Sequence, residues 1–203
     1  MKKIRLKEKF LRIFGDIKIL PYPPFLYYQP GDYYRASGAD TRRAIDLVRP
    51  GDLLCRGYDS YLDGYFIPGK FTHTGVYTGN GKITHAIAEG VSEIDIIDFL
   101  RCDRFILIRP KMGQKQALER IAAWIGKPYD FDFTSGNDAI YCHELAAEAY
   151  KELQIQKIIP YMGFIRFHKL RPTYLAESFI MNPNFKVIFI AGNQKPNHKE
   201  QKP

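Results

Sequence analysis

The strongest pattern in the chain is a set of short apolar runs separated by turn residues. "RFILIRP" (104–110) is apolar at successive positions and closes on a proline, which predicts a buried strand. "FKVIFIAG" (185–192) predicts a final strand, and "RPGDLLCRG" a Pro-Gly-Asp turn feeding a strand at Leu53–Arg56. "FTHTGVYTGNGKITHA" (71–86) reads as two strands joined by a Gly-Asn-Gly turn. Helical spacing appears in "QKQALERIAAWIG" (114–126), where Leu118, Ile121, Ala122 and Ile125 share a face and Gly126 caps the end. A second helix begins near Cys142, with Leu145, Ala149 and Leu153 along one stripe. Residues 40–48 predict a short helix with Asp40 as N-cap, and 95–100 a helical turn. Antiparallel strands with helices gathered at one side make an α+β domain.

A length of 203 residues suits one domain, and neither an internal repeat nor a Gly/Ser linker divides it. The Pro- and Tyr-rich stretch 21–38 predicts an irregular arm over the surface. The expected organisation is a basic helix and arm (1–47), a catalytic domain (48–192) and a disordered tail (193–203).

Hydrophobic residues make up 45% and charged residues 26%, which excludes a disordered chain, and no apolar run is long enough to span a membrane. Lys7, Glu8, Lys9 and Arg12 interrupt what would be the apolar core of a signal peptide, so a cytoplasmic location is expected. The net charge of +8 is concentrated at the two ends. At the start, bases alternate with Ile4, Leu6, Phe10, Leu11, Ile13 and Phe14. That pattern reads either as a helix packed on its own domain or as membrane-surface contact through residues 1–20. No recognition motif accompanies the charge, so no nucleic-acid partner is expected.

Three cysteines, Cys55, Cys102 and Cys142, are too few and of the wrong parity for a disulfide framework. Cys55 and Cys102 lie in or beside apolar strands and read as small core residues. Cys142 opens a helix, where partial positive charge and free backbone N–H groups lower a thiol's pKa and can face an oxyanion. His73, beside Gly75, has the open surroundings of a general base. Its orienting partner is His85 or Glu89. A two-residue Asn-Gly loop puts His85 on the opposite face, and a three-residue loop sets Glu89 across from His73. Only a bulge or strong twist brings His85 close. His73, His85, His143 and Cys142 show no recognised zinc spacing, so neither metal nor cofactor is expected.

"PGDLL", "FTHTGVYTGNGKITHA", the "IRP" strand end and "GKPYDFDFTSGNDAIYCHELAAEAY", in that order, resemble the circularly permuted papain-like hydrolases related to NlpC-type cell-wall peptidases. The YiiX/YebB-like amidases are the branch resembled, with lecithin retinol acyltransferase-like proteins as cousins. The resemblance runs from about Pro50 to Ala191. It implies a permuted papain-like fold, an antiparallel sheet or half-barrel with helices packed on one side. It implies Cys142 as nucleophile, His73 as base and His85 as the third polar residue, with Glu89 held as the alternative. Tyr129 falls at the tyrosine whose hydroxyl assists the oxyanion hole. His143 departs from the pattern, which has a small residue after the cysteine. The implied activity is a cysteine hydrolase acting on an amide in a small peptide or N-acyl amino acid. The rival readings are a lipid-directed acyltransferase or thiol lipase and a binding module without activity.

Overall fold

The computed structural model describes residues 17–19, 23, 26–28, 34–59, 69–134, 136, 138–159 and 172–192. The expected N-terminal helix within residues 1–14 and the tail from 193 lie outside them. The chain forms two compact units, Met1–Tyr34 and Arg35–Pro203. In the first, β1 (Ile17–Ile19) pairs antiparallel with β2 (Leu26–Tyr28). The Pro/Tyr stretch expected to be irregular therefore contains a strand.

The second unit is built on an antiparallel sheet. Its strands are β3 (Leu53–Gly57), β4 (His73–Gly79), β5 (Lys82–Ile87), β6 (Gly90–Asp95), β7 (Arg104–Pro110) and β8 (Phe185–Ala191), in spatial order β6-β5-β4-β3-β7-β8. The sequence reading contained no β6. Side chains alternate along each strand, so the sheet faces two cores. Leu53, Cys55, Val76, Ile106 and Ile108 pack with α3 (Gln114–Trp124) and α4 (Cys142–Ala149). Leu54, Ile83, Phe105 and Leu107 pack with Ala44 of α1 (Gly38–Leu47) and Phe99 of α2 (Ile96–Phe99). Leu53 and Leu54 are both fully buried, one on each side. Truncating either to alanine would cost about 2–5 kcal/mol.

Two helices differ in detail from their sequence patterns. Ser37, not Asp40, is the N-cap of α1. Its hydroxyl accepts from Asp40 N–H, and the Asp40 carboxylate accepts from Ser37 N–H, making Asp40 the third residue of a capping box. In α3 the buried stripe is Ala117 and Ile121, completed by half-buried Trp124, while Ala122 and Ile125 are exposed. The helix stops at Trp124, and left-handed Gly126 turns the chain, so Ile125 falls outside the stripe. A short α5 (Ala176–Ile180) adds Phe179 to the first core.

The "PGD" corner and the "IRP" strand end form one joint. Asp52, buried, accepts from Arg109 Nε at 2.9 Å and from a terminal guanidinium nitrogen at 2.6 Å, and its Oδ2 also accepts from Arg49 N–H. Arg109 further donates to the Leu47 carbonyl. Gly51 has φ +93°, and Tyr150 donates its hydroxyl hydrogen to the Gly51 carbonyl; a Cβ at Gly51 would lie 2.9 Å from that hydroxyl. This joint fixes where β3 starts, and β3 in turn sets β4, which carries His73.

Candidate active site

Cys142 is the first residue of α4, with Tyr141 as N-cap. Its sulfur meets the β4 edge where pairing with β5 has stopped, since that pairing runs only from Gly75↔His85 toward the turn. There Sγ lies 4.0 Å from the Thr72 carbonyl and against the Thr74 backbone amide, the residues on either side of His73. The N–H groups of Cys142 and His143 also lie against it and favour a thiolate. The helix terminus does not win, however. The side chain is only 3% exposed, and burial pushes the thiol up to about 11. The lowered pKa expected from the helix position is thus overturned by desolvation.

His73 and His85 share a face and bond to each other, His73 Nε2 to His85 Nδ1 at 3.0 Å. The loop is the two-residue Asn80-Gly81 type, with both residues at positive φ, and Gly79 pairs with Lys82. Beyond it Tyr77 pairs with Ile83, so Thr78 is one extra residue. That bulge restores the common face and sets His85 opposite Gly75. A Cβ at Gly75 would come within 2.4 Å of Ile83, so only glycine lets the two strands close here. Both imidazoles pack on Phe99, with ring centroids 5.6 and 5.9 Å away. Glu89 is not across from His73. It is exposed on the β5–β6 turn, because the bulge, rather than a longer loop, corrects the register.

Tyr129 reaches the sulfur from the other side, its hydroxyl in hydrogen-bond contact with Cys142. The loop that carries it is tied down at several points. Val91 N–H donates to the Lys127 carbonyl and Gly126 N–H to the Val91 carbonyl, at 2.9 and 2.8 Å. Ile140 N–H donates to the Pro128 carbonyl at 3.0 Å. Buried Asp130 accepts from Asp132 and Thr134 N–H at 2.9 and 2.7 Å, closing the turn behind Tyr129. Burial and the neighbouring sulfur raise the Tyr129 pKa, keeping it a hydroxyl donor.

Cys142 and His73, which the resemblance makes nucleophile and base, do not bond to each other. The imidazole on the sulfur is His143, whose Nδ1 is 3.3 Å from Sγ. Burial holds His73 well below the ordinary histidine range, reinforced by Arg56, and takes His85 and His143 down to about 4. All three rings are neutral at pH 7. Cys55 and Cys102 are buried core thiols pushed up to about 12 by desolvation. Among the described residues, no group of three or more His, Cys, Asp or Glu side chains could hold a metal ion. No helix among them is long and apolar enough to cross a membrane.

The profile of the permuted papain-like amidase family, YaeF/YiiX (C92), matches residues 47–189. The chain belongs to that family. This amidase also shares its fold with a solved protein, the metalloprotein YiiX from Escherichia coli O157:H7. The TM-score is 0.57 at 16% identity, over 70% of this chain and 96% of that one. No curated protein matches the chain. The family makes it a thiol hydrolase, and the permuted papain-like fold is the one expected, with helices on both faces of the sheet rather than on one. Asp130 had no part in the sequence reading, and a bulge entered it only as a condition for bringing His85 close, without a position. The Asp-aromatic-Asp run after "GKPY" was the available sign of the first; nothing in the sequence marks the second.

Proposed function

We propose that this amidase cleaves an amide or isopeptide bond in a small peptide or N-acyl amino acid, peptidoglycan-derived peptides included, through an acyl-enzyme on Cys142. The observation that carries the reading is the placement of one sulfur. It stands on the first turn of α4, with three backbone N–H groups and Tyr129 around it, against the strand that carries His73. The His73–His85 bond uses Nε2 and so leaves Nδ1 for the thiol.

In this mechanism the Cys142 side chain turns to His73 and gives its proton to Nδ1 as Sγ bonds to the substrate carbonyl carbon. The carbonyl oxygen gains the negative charge and is held by the Cys142 N–H and the Tyr129 hydroxyl. The C–N bond then breaks, and the amine leaves with the proton from His73. Water adds to the acyl carbon while His73 accepts its proton. The C–S bond breaks, and Sγ takes that proton back. His85 keeps the His73 ring in one orientation throughout.

Arg56 supports a substrate bearing a carboxylate. It pairs in register with His73 and lies 4.5 Å over the Phe99 ring and 5.5 Å over Tyr58. Its side chain donates to the Phe99 carbonyl at 3.0 Å, and its Nε is buried without a hydrogen-bond partner among the described residues. No ion pair joins it to a carboxylate among the described residues. A cation placed this way beside the base suits an anionic group on the substrate. The metal named for YiiX is not carried over. Among the described residues, no group of three or more His, Cys, Asp or Glu side chains could hold one.

Turnover of a library of amide, ester and γ-glutamyl substrates tests the reading, with Cys142→Ala as control. Amide cleavage lost in Cys142→Ala is expected, with N-acyl amino acids preferred over their C-terminal amides. Ester-only turnover would move the chain to a lipase chemistry.

A further inference from the structure

The imidazole that touches the nucleophile is not the one the proposed chemistry uses. His143 follows Cys142 directly, is only 2% exposed, and sets Nδ1 3.3 Å from Sγ. We propose that His143 is the resting partner of the nucleophile: it holds the Cys142 thiol protonated and turned away from His73, and a bound substrate displaces this bond. The proposal rests on the reading of Cys142 as nucleophile and His73 as base.

The direction of the bond follows from the donors present. A protonated thiol is a donor, and of the two acceptors in reach Nδ1 at 3.3 Å is nearer than the Thr72 carbonyl at 4.0 Å. Burial keeps the proton on sulfur and off the imidazole, in agreement with that direction. Nδ1 of His143 therefore accepts, and the ring hydrogen sits on Nε2. That nitrogen is buried with no hydrogen bond of its own, and the Phe71 backbone is the ring's other polar neighbour. The bond to sulfur is its contact on the Nδ1 side. His73, by contrast, is already locked by His85 and Phe99.

The consequence is a thiol that small electrophiles meet in its neutral form, with its reactivity released by substrate. Breaking one such hydrogen bond corresponds to a rate change of about fivefold. The test is the second-order rate of Cys142 alkylation by iodoacetamide at neutral pH, on the full chain, with folding checked by circular dichroism. His143→Leu removes the acceptor and is expected to alkylate about fivefold faster than wild type. His143→Asn keeps an acceptor near the Nδ1 position and is expected to stay close to wild type. Adding His73→Ala to His143→Leu is expected to abolish the gain.

Equal or slower alkylation in folded His143→Leu overturns the proposal. Where that variant does not fold, isotope-labelled histidine NMR of the wild type decides. An Nε2–H tautomer of His143, with an Nδ1 signal that moves in Cys142→Ala, is expected; an Nδ1–H tautomer overturns it. Failure of the hydrolase reading is distinguishable, because it appears as wild type without amide turnover whatever the order of alkylation rates.

Discussion

His85 Nδ1 stands 3.0 Å from His73 Nε2 because β4 carries one residue more than β5 between the turn and the Gly75↔His85 pair. A regular hairpin with the same Asn-Gly loop would separate these rings by the thickness of the sheet. The bulge at Thr78 therefore belongs to the site as much as either histidine does.

The role of His85 is to orient, so its loss should slow the chemistry and leave binding intact. His85→Ala is expected to lower kcat by about 10²-fold with KM little changed. His85→Asn, which keeps an acceptor for His73, should recover part of the loss. Steady-state kinetics on one amide substrate checks both.

Tyr129 offers the sulfur a hydroxyl that phenylalanine lacks. Tyr129→Phe keeps the ring contacts with Phe131 and Phe133. It should reduce kcat by about 10²-fold, as removal of one oxyanion donor does elsewhere. Thermal unfolding should be almost unmoved, because the lost contact is to the reacting atom.

Asp130 works one step further back. Asp130→Ala frees two backbone N–H groups of the loop, Asp132 and Thr134. A loss of about 1–3 kcal/mol is expected, read as a lower unfolding temperature together with a reduced kcat. Tyr129→Phe should alter only the second quantity, which separates scaffold from chemistry.

Stability should depend on pH in a direction set by the buried histidines. The folded His143 pKa is about 4 against an ordinary 6.5, so within that window the unfolded chain takes up a proton that the folded chain refuses. Its contribution is therefore complete above pH 6.5 and falls as the pH drops, by about 3 kcal/mol at the lower end. His85 acts in the same sense. The Cys142 thiol gives the opposite limb, with stability falling as pH rises from about 9 toward 11. Urea unfolding across this range checks the signs, and His143→Asn should flatten the acid limb.

Much of this architecture was legible in the chain because it follows from local pattern. The β7 and β8 runs, the Asn-Gly hairpin and the helix at Cys142 each have a periodic or turn signature, and each is present. What was hidden depends on non-local balance. The bulge hides in "YTGNG", where a two-residue and a three-residue loop fit equally well. The Cys142 thiol follows desolvation rather than the helix terminus because the neighbours that bury it come from β4 and the Tyr129 loop, distant in sequence. The α3 stripe shifted because the helix stops at Trp124, before Ile125. His143 stood out as a departure after the cysteine, but its contact with Sγ is a matter of rotamer.

The central claim is an acyl-enzyme on one named sulfur, and intact-mass spectrometry reads it directly. The chain is quenched in acid during turnover of an activated N-acyl amino-acid ester or amide, then digested to locate the adduct. A single acyl group on Cys142, absent from Cys142→Ala, is the predicted result. Turnover with no adduct, or an adduct on Cys55 or Cys102, would contradict the account.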